Sequence, residues 1–302
     1  MASYPVLQEK EGEWTSQSHF EILGLRLPTI FTHDPSLLSD YITKFQTRSD
    51  DVFVVTYPKS GTTWVQEIVW QIYNKGNITR EKLICRVPFL ELGTTHTRER
   101  PNAETLPSPR IIKSHLSYDV IPKSSEESAK CKYIYIARNP KDVSVSFFHH
   151  TEISSKLRGN GFNGPWDFFI DLFMKGKVGW SHWTDHVLGW WKHREDPNVL
   201  FLKYEDLHKD LPSNVRLIAE FVQKPLSDEI INRIAEQCTF EGMMKNADSF
   251  KVIDRGDHSF QILRKGAVGD WKNYFTSELN ERFGREVLEK LRGSGLEFEY
   301  EI

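Results

Sequence analysis

Four short apolar runs dominate the hydrophobic pattern of the chain. They are VFVVT at 52–56, RIIKSH at 110–115, KYIYIAR at 132–138 and VLFLKY at 199–204. Continuous runs of this length are typical of strands buried on both faces of a sheet. Helical patterns alternate with them at 61–74, 141–150, 166–173, 182–194, 213–222 and 227–237, with Ser213 and Ser227 placed as N-caps. The alternation predicts an α/β fold with a central, mostly parallel sheet flanked by helices, in a single domain covering residues 1–302.

The turn after the first run carries residue types that bind phosphate. VFVVT leads into YPKSGTT, and apolar residues at helical spacing follow. A strand, a tight turn and a helix start together present free backbone N–H groups and a local dipole to an anion. The turn is therefore P-loop-like, although the pattern G-x-x-x-x-G-K-[ST] is absent and Lys59 precedes Gly61.

Cations and hydroxyls follow the predicted strands at or near their carboxyl ends. These residues are Lys59, Lys113, His115, Arg138, Ser144, Ser146 and Tyr204. Taken alone, each is more often a solvated charge, a surface histidine or a helix cap than a ligand. Because ligands of open α/β sheets bind outside the carboxyl ends of the strands, the convergence predicts an anion site at this edge.

Composition excludes several other classes of protein. With a net charge of −3 over 302 residues, nucleic-acid binding is disfavoured. The start of the chain is polar, and no apolar stretch approaches the ~20 residues of a membrane span. The three cysteines are an odd number without paired metal spacing, which suits a reducing compartment. We therefore expect a cytoplasmic protein without a membrane segment.

Seven segments stand in the order and spacing of a known family. They are TYPKSGTTW (56–64), RVPFLE (86–91), PSPRIIKSHL (107–116), YIARNPKDVSVSFFH (135–149), FMKGKVGW (173–180), KYEDL (203–207) and RKGAVGDWKN (264–273). From about residue 20 to the C-terminus the chain resembles the cytosolic sulfotransferases. The resemblance implies an enzyme that uses 3′-phosphoadenosine 5′-phosphosulfate (PAPS), releases PAP, and moves the sulfuryl group to a hydroxyl or amine of a small molecule.

The resemblance also implies roles for individual residues. Lys59, Lys113 and His115 are the implied catalytic residues: His115 is the general base, Lys113 fixes the transferring group, and Lys59 meets the leaving bridging oxygen. The implied cofactor ligands are Lys59, Ser60, Gly61, Thr62 and Thr63 for the 5′ phosphate, Arg138, Ser146, Arg264, Lys265 and Gly266 for the 3′ phosphate, and Trp64, Tyr204, Thr239 and Phe240 around the adenine. Cys238 stands where the family often has a hydroxyl, so the hydroxyl at the adenine edge comes from Thr239 or is missing.

The motifs give less support to the predicted acceptor pocket and to the expectation that no metal is needed. Phe89, Lys113, His115, Phe148, His149 and His150 are candidate acceptor contacts, together with the loops 151–164 and 245–260. The loops are equally well explained as solvated surface. No metal is expected, because the run 132–137 ends in Arg138 where a nucleotide kinase would have a metal-binding Asp.

Two other functions compete with sulfuryl transfer. A phosphotransferase such as a nucleoside kinase is disfavoured by the lysine position and the missing strand-end Asp. A non-catalytic binder of PAPS or of a small molecule on the same fold is opposed, but not excluded, by the intact Lys59, Lys113 and His115.

A further expectation concerns assembly. KNYFTSELNE at 272–281 matches a short segment through which many vertebrate relatives dimerise, except that Ser277 replaces a valine. We expect a weak homodimer through this segment; the alternative is a solvated turn and helix start.

Overall fold

The architecture is a parallel sheet between helices, with small antiparallel sheets near the N-terminus and between residues 251–253 and 260–261. The computed structural model describes residues 4–95, 101–124, 126, 130–159, 161–253, 260–261 and 263–302. The strands are β1 Val6–Leu7, β2 Lys10–Glu11, β3 Trp14–Thr15, β4 His19–Ile22, β5 Leu25–Pro28, β6 Val52–Thr56, β7 Ile111–Ser114, β8 Lys132–Ala137, β9 Val199–Lys203, β10 Lys251–Ile253 and β11 Phe260–Gln261. The α-helices are α1 Pro35–Lys44, α2 Thr62–Tyr73, α3 Leu83–Arg86, α4 Pro140–Arg158, α5 Trp166–Met174, α6 Trp183–Trp191, α7 Tyr204–Lys209, α8 Leu211–Phe221, α9 Asp228–Gln237, α10 Phe240–Met244 and α11 Ser277–Glu286.

The four predicted strands form the central sheet, so the predicted fold class is confirmed. The strand order is β7-β6-β8-β9, and every neighbouring pair is parallel. Val52 of β6 lies opposite Ile111 of β7 and Lys132 of β8. Since all four strands run in one direction, their carboxyl ends lie along the same edge of the sheet.

Alternate residues of the central strands pack into two cores, one on each face. Val52 and Val54 belong to the core beneath α2, α8 and α9. Phe53 and Val55 belong to the opposite core, with the aromatic residues of α5 and α6. Successive side chains of a strand point to opposite faces, so a continuous apolar run fills both cores at once.

Three helix boundaries differ from the predicted ones by two residues or more. Helix α6 ends at Trp191, three residues before its predicted end. Helix α4 continues to Arg158 and ends at Gly159, which has the left-handed φ of +65° favoured for a C-cap glycine. Helix α8 begins at Leu211 and is capped by Asp210, whose carboxylate accepts a hydrogen bond from the Ser213 N–H. Ser213 is therefore inside the helix, which corrects the predicted cap. Ser227 is at the N-cap position of α9, but its side chain makes no cap hydrogen bond.

The hydrophobic pattern did not predict the N-terminal region. Strands β1, β4 and β5 form an antiparallel sheet, and β2 pairs with β3. This region is joined to the main body by hydrogen bonds from the Thr15 N–H to Asn163 Oδ1 (2.6 Å) and from the Trp180 N–H to the Arg26 carbonyl (2.7 Å). These strands have two to four residues each, too few to show an alternating pattern.

Within the part of the chain that the structure describes, no helix has both the length and the apolarity needed to cross a membrane.

Candidate active site

A cavity of about 240 Å³ lies at the carboxyl edge of the central sheet. It is lined by most of the residues that the sequence predicted for the site, from three of the four strand ends, the turn before α2 and the segment 263–267. The predicted residues that line it are Lys59, Gly61, Thr62, Thr63, Trp64, Phe89, Lys113, His115, Arg138, Ser146, His150, Tyr204, Phe240, Arg264, Lys265 and Gly266.

The turn between β6 and α2 has the geometry of an anion cradle. Gly61 caps α2 with a left-handed φ of +104°, and no side chain caps the helix. The first hydrogen bond of the helix is donated by the Val65 N–H to the Gly61 carbonyl (3.2 Å). The N–H groups of Thr62, Thr63 and Trp64 therefore have no partner within the helix, as at any helix start. Such N–H groups at the positive end of the helix dipole favour a phosphate or sulfate.

Gly61 is required by close packing as well as by conformation. A Cβ atom on Gly61 would lie 2.7 Å from Cδ2 of Tyr204, the first residue after β9. The turn is thus pressed against the end of a neighbouring strand, and any other residue would push Tyr204 away.

Several cations surround Lys59. Its burial, followed by the charges of Lys113, Arg138 and Arg264, lowers the pKa of the Lys59 ammonium to about 7. Mutual repulsion of this kind disfavours the charged lysine until an anion enters. The electrostatics of the cavity therefore favour a polyanionic ligand.

The tautomer of His115 is determined by a backbone carbonyl. The Nδ1 atom lies 2.9 Å from the carbonyl oxygen of Thr56 and 3.1 Å from its Oγ1. A carbonyl only accepts, so Nδ1 carries the proton and Nε2 keeps its lone pair. Burial first, and the charge of Lys113 second, lower the pKa of the His115 imidazole well below its usual value. The side chain is therefore a neutral imidazole at neutral pH, and Nε2 has a free lone pair.

Glu91 and Trp180, which were not among the predicted site residues, hold His115 in place together with Phe89. Glu91 Oε1 accepts hydrogen bonds from the His115 N–H (2.6 Å) and from Trp180 Nε1 (3.3 Å). Trp180 and Phe89 both pack edge-on against the imidazole, with ring centroids 5.1 Å away. Burial raises the pKa of the Glu91 carboxyl to about 7. The only signal for Glu91 in the sequence was an acidic residue ending an apolar motif.

Arg138 joins the turn to the segment that follows Leu263. Its guanidinium donates to the Ala267 carbonyl (2.8 Å) and to the Lys59 carbonyl (3.4 Å), and lies 4.3 Å above the Tyr204 ring. Asp142, near the start of α4, also holds this segment, since its carboxylate accepts from the N–H groups of Gly269 (2.9 Å) and Trp271 (3.0 Å). These bonds position Arg264 and Lys265 against the cavity.

Arg264 and Lys265 share one carboxylate. Asp270 accepts from Arg264 Nη2 at 2.5 Å and from Lys265 Nζ at 2.6 Å. Burial by itself would raise the pKa of Asp270, but hydrogen bonds from Lys265 and Arg264 outweigh it and hold the pKa at about 2. The pair is therefore a preassembled cationic clamp beside a permanently charged aspartate.

The comparisons with known proteins decide the family of this chain. A family model described as "Sulfotransferase domain" matches residues 49–295. The chain belongs to the sulfotransferase family. Among its relatives, a rabbit (Oryctolagus cuniculus) protein named amine sulfotransferase is 42% identical over 267 residues, 85% of this chain and 86% of the relative. The dog (Canis lupus familiaris) sulfotransferase 1B1 is 40% identical, with coverage of 86% and 90%.

Solved structures of sulfotransferases superpose on this one. Mouse sulfotransferase SULT7A1, crystallised with PAP, has a TM-score of 0.72 and 33% identity, covering 91% of this chain and 94% of that one. A retinol dehydratase in complex with androsterone and the inactive cofactor PAP has a TM-score of 0.80 and 26% identity, with coverage of 98% and 92%. The protein is a sulfotransferase enzyme of the PAPS-dependent family, as the motifs predicted.

The cavity of the sulfotransferase fits this nucleotide. Within the described residues, Ser60 Oγ, Arg138 Nε and Arg264 Nε are buried and have no hydrogen-bond partner. Gly266 has a φ of +62°, and a Cβ there would lie 2.3 Å from Cδ2 of Phe240, so backbone and ring are in direct contact. Unsatisfied donors beside two glycine cradles are what a bound bisphosphate would complete.

Aromatic rings line the end of the cavity that the resemblance assigns to the base. Trp64 donates through Nε1 to the Cys238 carbonyl (2.6 Å), and its ring centroid lies 5.2 Å from that of Tyr204. His208 also lines this end and was missed in the sequence, because a histidine on a short helix carries no motif of its own.

Four residues predicted for the site of the sulfotransferase do not line the cavity: Ser60, Phe148, His149 and Thr239. The Thr239 hydroxyl caps α10, accepting from the Gly242 N–H (3.0 Å) and donating to the Glu236 carbonyl (2.9 Å). Phe148 packs with Trp166 and Phe169 in the core. Phe147 lines the cavity instead, because consecutive residues of α4 face directions about 100° apart.

The acceptor loops are partly in place. Thr151, Ser154 and Leu157 line the cavity from the last turns of α4, and Ser249, Phe250 and Lys251 line it from the second segment. Residues 254–259, 160 and 262, on which parts of these expectations rest, lie outside the described residues. The imidazole of His149 makes a hydrogen bond through Nε2 to the Tyr274 hydroxyl (2.6 Å).

The described residues contain no group of three or more His, Cys, Asp or Glu side chains arranged to hold a metal ion.

Proposed function

We propose that this sulfotransferase moves the sulfuryl group of PAPS to the hydroxyl of a small molecule in the cytoplasm, with His115 as the general base. The observation that carries the proposal is the hydrogen bond between His115 Nδ1 and the Thr56 carbonyl, which leaves Nε2 with a free lone pair at a cavity lined by Lys59 and Lys113. A neutral imidazole can accept the proton of the attacking hydroxyl, and the fixed cations beside it can stabilise the negative charge that develops on the donor.

PAPS, when bound, supplies the activated sulfuryl group. His115 Nε2 accepts the proton of the attacking hydroxyl, and its lowered pKa keeps it unprotonated at cellular pH. Lys59 presents a positive charge at the turn, where negative charge develops on the donor, and Lys113 presents a second one at the end of β7. Charges fixed in place before reaction act mainly on the transition state.

The nucleotide is held by the two clamps already described. The turn takes one phosphate with the N–H groups of Gly61, Thr62 and Thr63 and with the Ser60 hydroxyl, because the Ser60 N–H already donates to the Tyr57 carbonyl (3.3 Å). Arg138, Ser146, Arg264, Lys265 and Gly266 take the other phosphate. Trp64, Tyr204 and Phe240 hold the base between rings.

The acceptor subsite favours an uncharged molecule. Among the described lining residues, apolar and aromatic side chains such as Phe31, Phe89 and Trp180 predominate near His115, with His150 and Ser154 as polar contacts. None of those described residues is an Asp or Glu. Among the described lining residues a protonated amine would meet several cations and no carboxylate, so we take a hydroxyl as the preferred acceptor and expect an amine to react only when neutral. The neighbour solved with androsterone, an alcohol, supports this choice, whereas the rabbit relative named amine sulfotransferase supports neutral amines as a second class of acceptor.

We also propose a weak homodimer through residues 272–281. In the single chain Lys272 pairs with Glu301 (2.8 Å), and Thr276 caps α11 by accepting from the Leu279 N–H (3.2 Å). Two of the side chains that match the relatives' segment are thus already engaged within the chain. With Ser277 in place of an apolar residue, apolar burial across a two-fold axis falls by roughly 3 kcal/mol in total.

The decisive experiment is a His115→Ala variant assayed with labelled PAPS against a panel of phenols, alicyclic alcohols and amines. Turnover should fall by about 10² to 10⁴-fold, the usual contribution of a general base, while the Kd for PAP stays within about twofold. His193→Ala is the matched control, since His193 stacks on Tyr118 and does not line the cavity. Turnover of His115→Ala within a few-fold of wild type would disprove the assignment, and binding of PAPS without turnover by wild type across the panel would indicate a non-catalytic binder.

A further inference from the structure

We propose that His208 forms an additional aromatic wall of the nucleotide-base end of the cavity and increases the enzyme's affinity for the adenine. No motif assigns this residue. The proposal rests on the function proposed above, which puts the base between Trp64, Tyr204 and Phe240.

The first support is the position of His208 on α7. It lies four residues after Tyr204, so the two side chains share one face of the helix. Their ring centroids are 4.7 Å apart, at an interplanar angle of 60°. Both residues line the cavity, so this face of α7 is turned toward the ligand site.

The second support is a mutual contact of three rings. The centroid of His208 lies 4.9 Å from that of Trp64, and Trp64 lies 5.2 Å from Tyr204. Trp64 is held by its hydrogen bond to the Cys238 carbonyl, and Tyr204 by the guanidinium of Arg138 at 4.3 Å. His208 is therefore located by two anchored rings, although its own side chain is exposed at the rim of the cavity.

The third support is that no other role is visible for the imidazole. Its ring nitrogens make no hydrogen bond with the residues that the structure describes, whereas the neighbouring Lys209 pairs with Glu299. The contact with the two rings buries part of the otherwise exposed imidazole. This partial burial, followed by the charge of Arg138, lowers the pKa of His208, although Asp142 opposes the shift. A neutral ring is thus favoured at neutral pH, and such a ring offers a flat surface to a purine.

The test compares two ligands that differ only in the base. Isothermal titration calorimetry measures Kd for PAP and for 1-deoxyribose 3,5-bisphosphate with wild type, His208→Ala and His208→Phe. His208→Ala should weaken PAP by about 5- to 150-fold, the range expected for one lost base–aromatic contact, and leave the base-free ligand unchanged. His208→Phe should restore PAP affinity to within about twofold of wild type. His193→Ala, which removes an imidazole outside the cavity lining, should change neither Kd.

Three results would overturn the proposal. One is unchanged PAP affinity in His208→Ala. Another is equal weakening of both ligands, which would mean that His208 only supports the turn through Tyr204. The last is failure of a folded His208→Phe variant, checked by its thermal midpoint, to restore affinity. Because binding is read without turnover, these results differ from failure of the proposed function, which appears as wild-type protein that binds PAPS and transfers nothing.

Discussion

Replacing Gly266 by alanine should damage the nucleotide site through one identifiable contact. Gly266 has a φ of +62°, and an added Cβ would lie 2.3 Å from Cδ2, 2.8 Å from Cγ and 3.1 Å from Cβ of Phe240. Rotation of the Phe240 ring cannot relieve the clash by itself, because the Cβ of Phe240 would also be too close to the Cβ added at position 266. The backbone of the 263–267 segment or of α10 must shift, and the Phe240 ring must leave its position.

Two effects contribute to the expected magnitude. A left-handed conformation costs an alanine roughly 1–2 kcal/mol of folding free energy. Displacing the Phe240 ring removes a stacking surface worth about 1–3 kcal/mol per base, so Kd for PAP should rise by about 5- to 150-fold. Calorimetric titration with PAP measures the second effect, and urea unfolding measures the first.

Gly295→Ala is the matched control. Gly295 has a φ of +72° with nothing within 4 Å of the added Cβ, so the variant carries the conformational cost without the clash. Both variants should lose the roughly 1–2 kcal/mol of the left-handed conformation, Gly266→Ala should lose more stability because of its clash, and only Gly266→Ala should lose PAP affinity. Equal PAP affinity in the two variants would refute the claim that the Gly266–Phe240 contact shapes the site.

Three further predictions test the electrostatics and the assembly. PAP binding at pH 8 should be accompanied by proton uptake, because burial and neighbouring cations lower the pKa of Lys59 to about 7 and a bound anion raises that pKa again. Calorimetric titrations in buffers of different ionisation enthalpy measure the number of protons taken up. Lys59→Met should abolish most of this uptake. Arg264→Ala should weaken PAP by roughly 10- to 100-fold more than AMP, which lacks the 3′ phosphate, and calorimetry that finds equal weakening would contradict the clamp. Light scattering over a dilution series should find monomer and dimer exchanging at micromolar concentration, with Ser277→Glu shifting the population to monomer; a constant mass of 35.3 kDa at high concentration would exclude the dimer.

The central sheet and the helices around it were largely predictable. Strands buried on both faces need continuous apolar runs, and VFVVT or KYIYIA has few other ways to bury its side chains. The turn that follows β6 was equally visible, because its lysine, glycine and threonines are short-range features of the chain. The start of α8 was harder to predict, because Asp210 and Ser213 are both residue types that cap helices well. Helix α7 ends at Lys209, so Asp210 lies between α7 and α8 and caps the second helix.

The site residues also fall into two groups, those that the sequence motifs predicted and those that only the tertiary structure revealed. Motifs predicted the cations, and the fold brings them to one edge of the sheet. The motifs did not predict that Glu91 lies beneath His115, that the Thr56 carbonyl selects its tautomer, or that Asp142 fastens Arg138 to the segment after Leu263.

What the sequence by itself determined is therefore local: which runs are buried, where the turn lies and which cations follow the strands. Only the tertiary structure decided which neighbour faces the ligand, Phe147 rather than Phe148, and which distant groups meet, as His208 meets Trp64. The physical reason is that burial depends on the pattern within one element. A contact between elements depends on how each helix is rotated and docked against the sheet, and side chains more than a hundred residues apart set that rotation together.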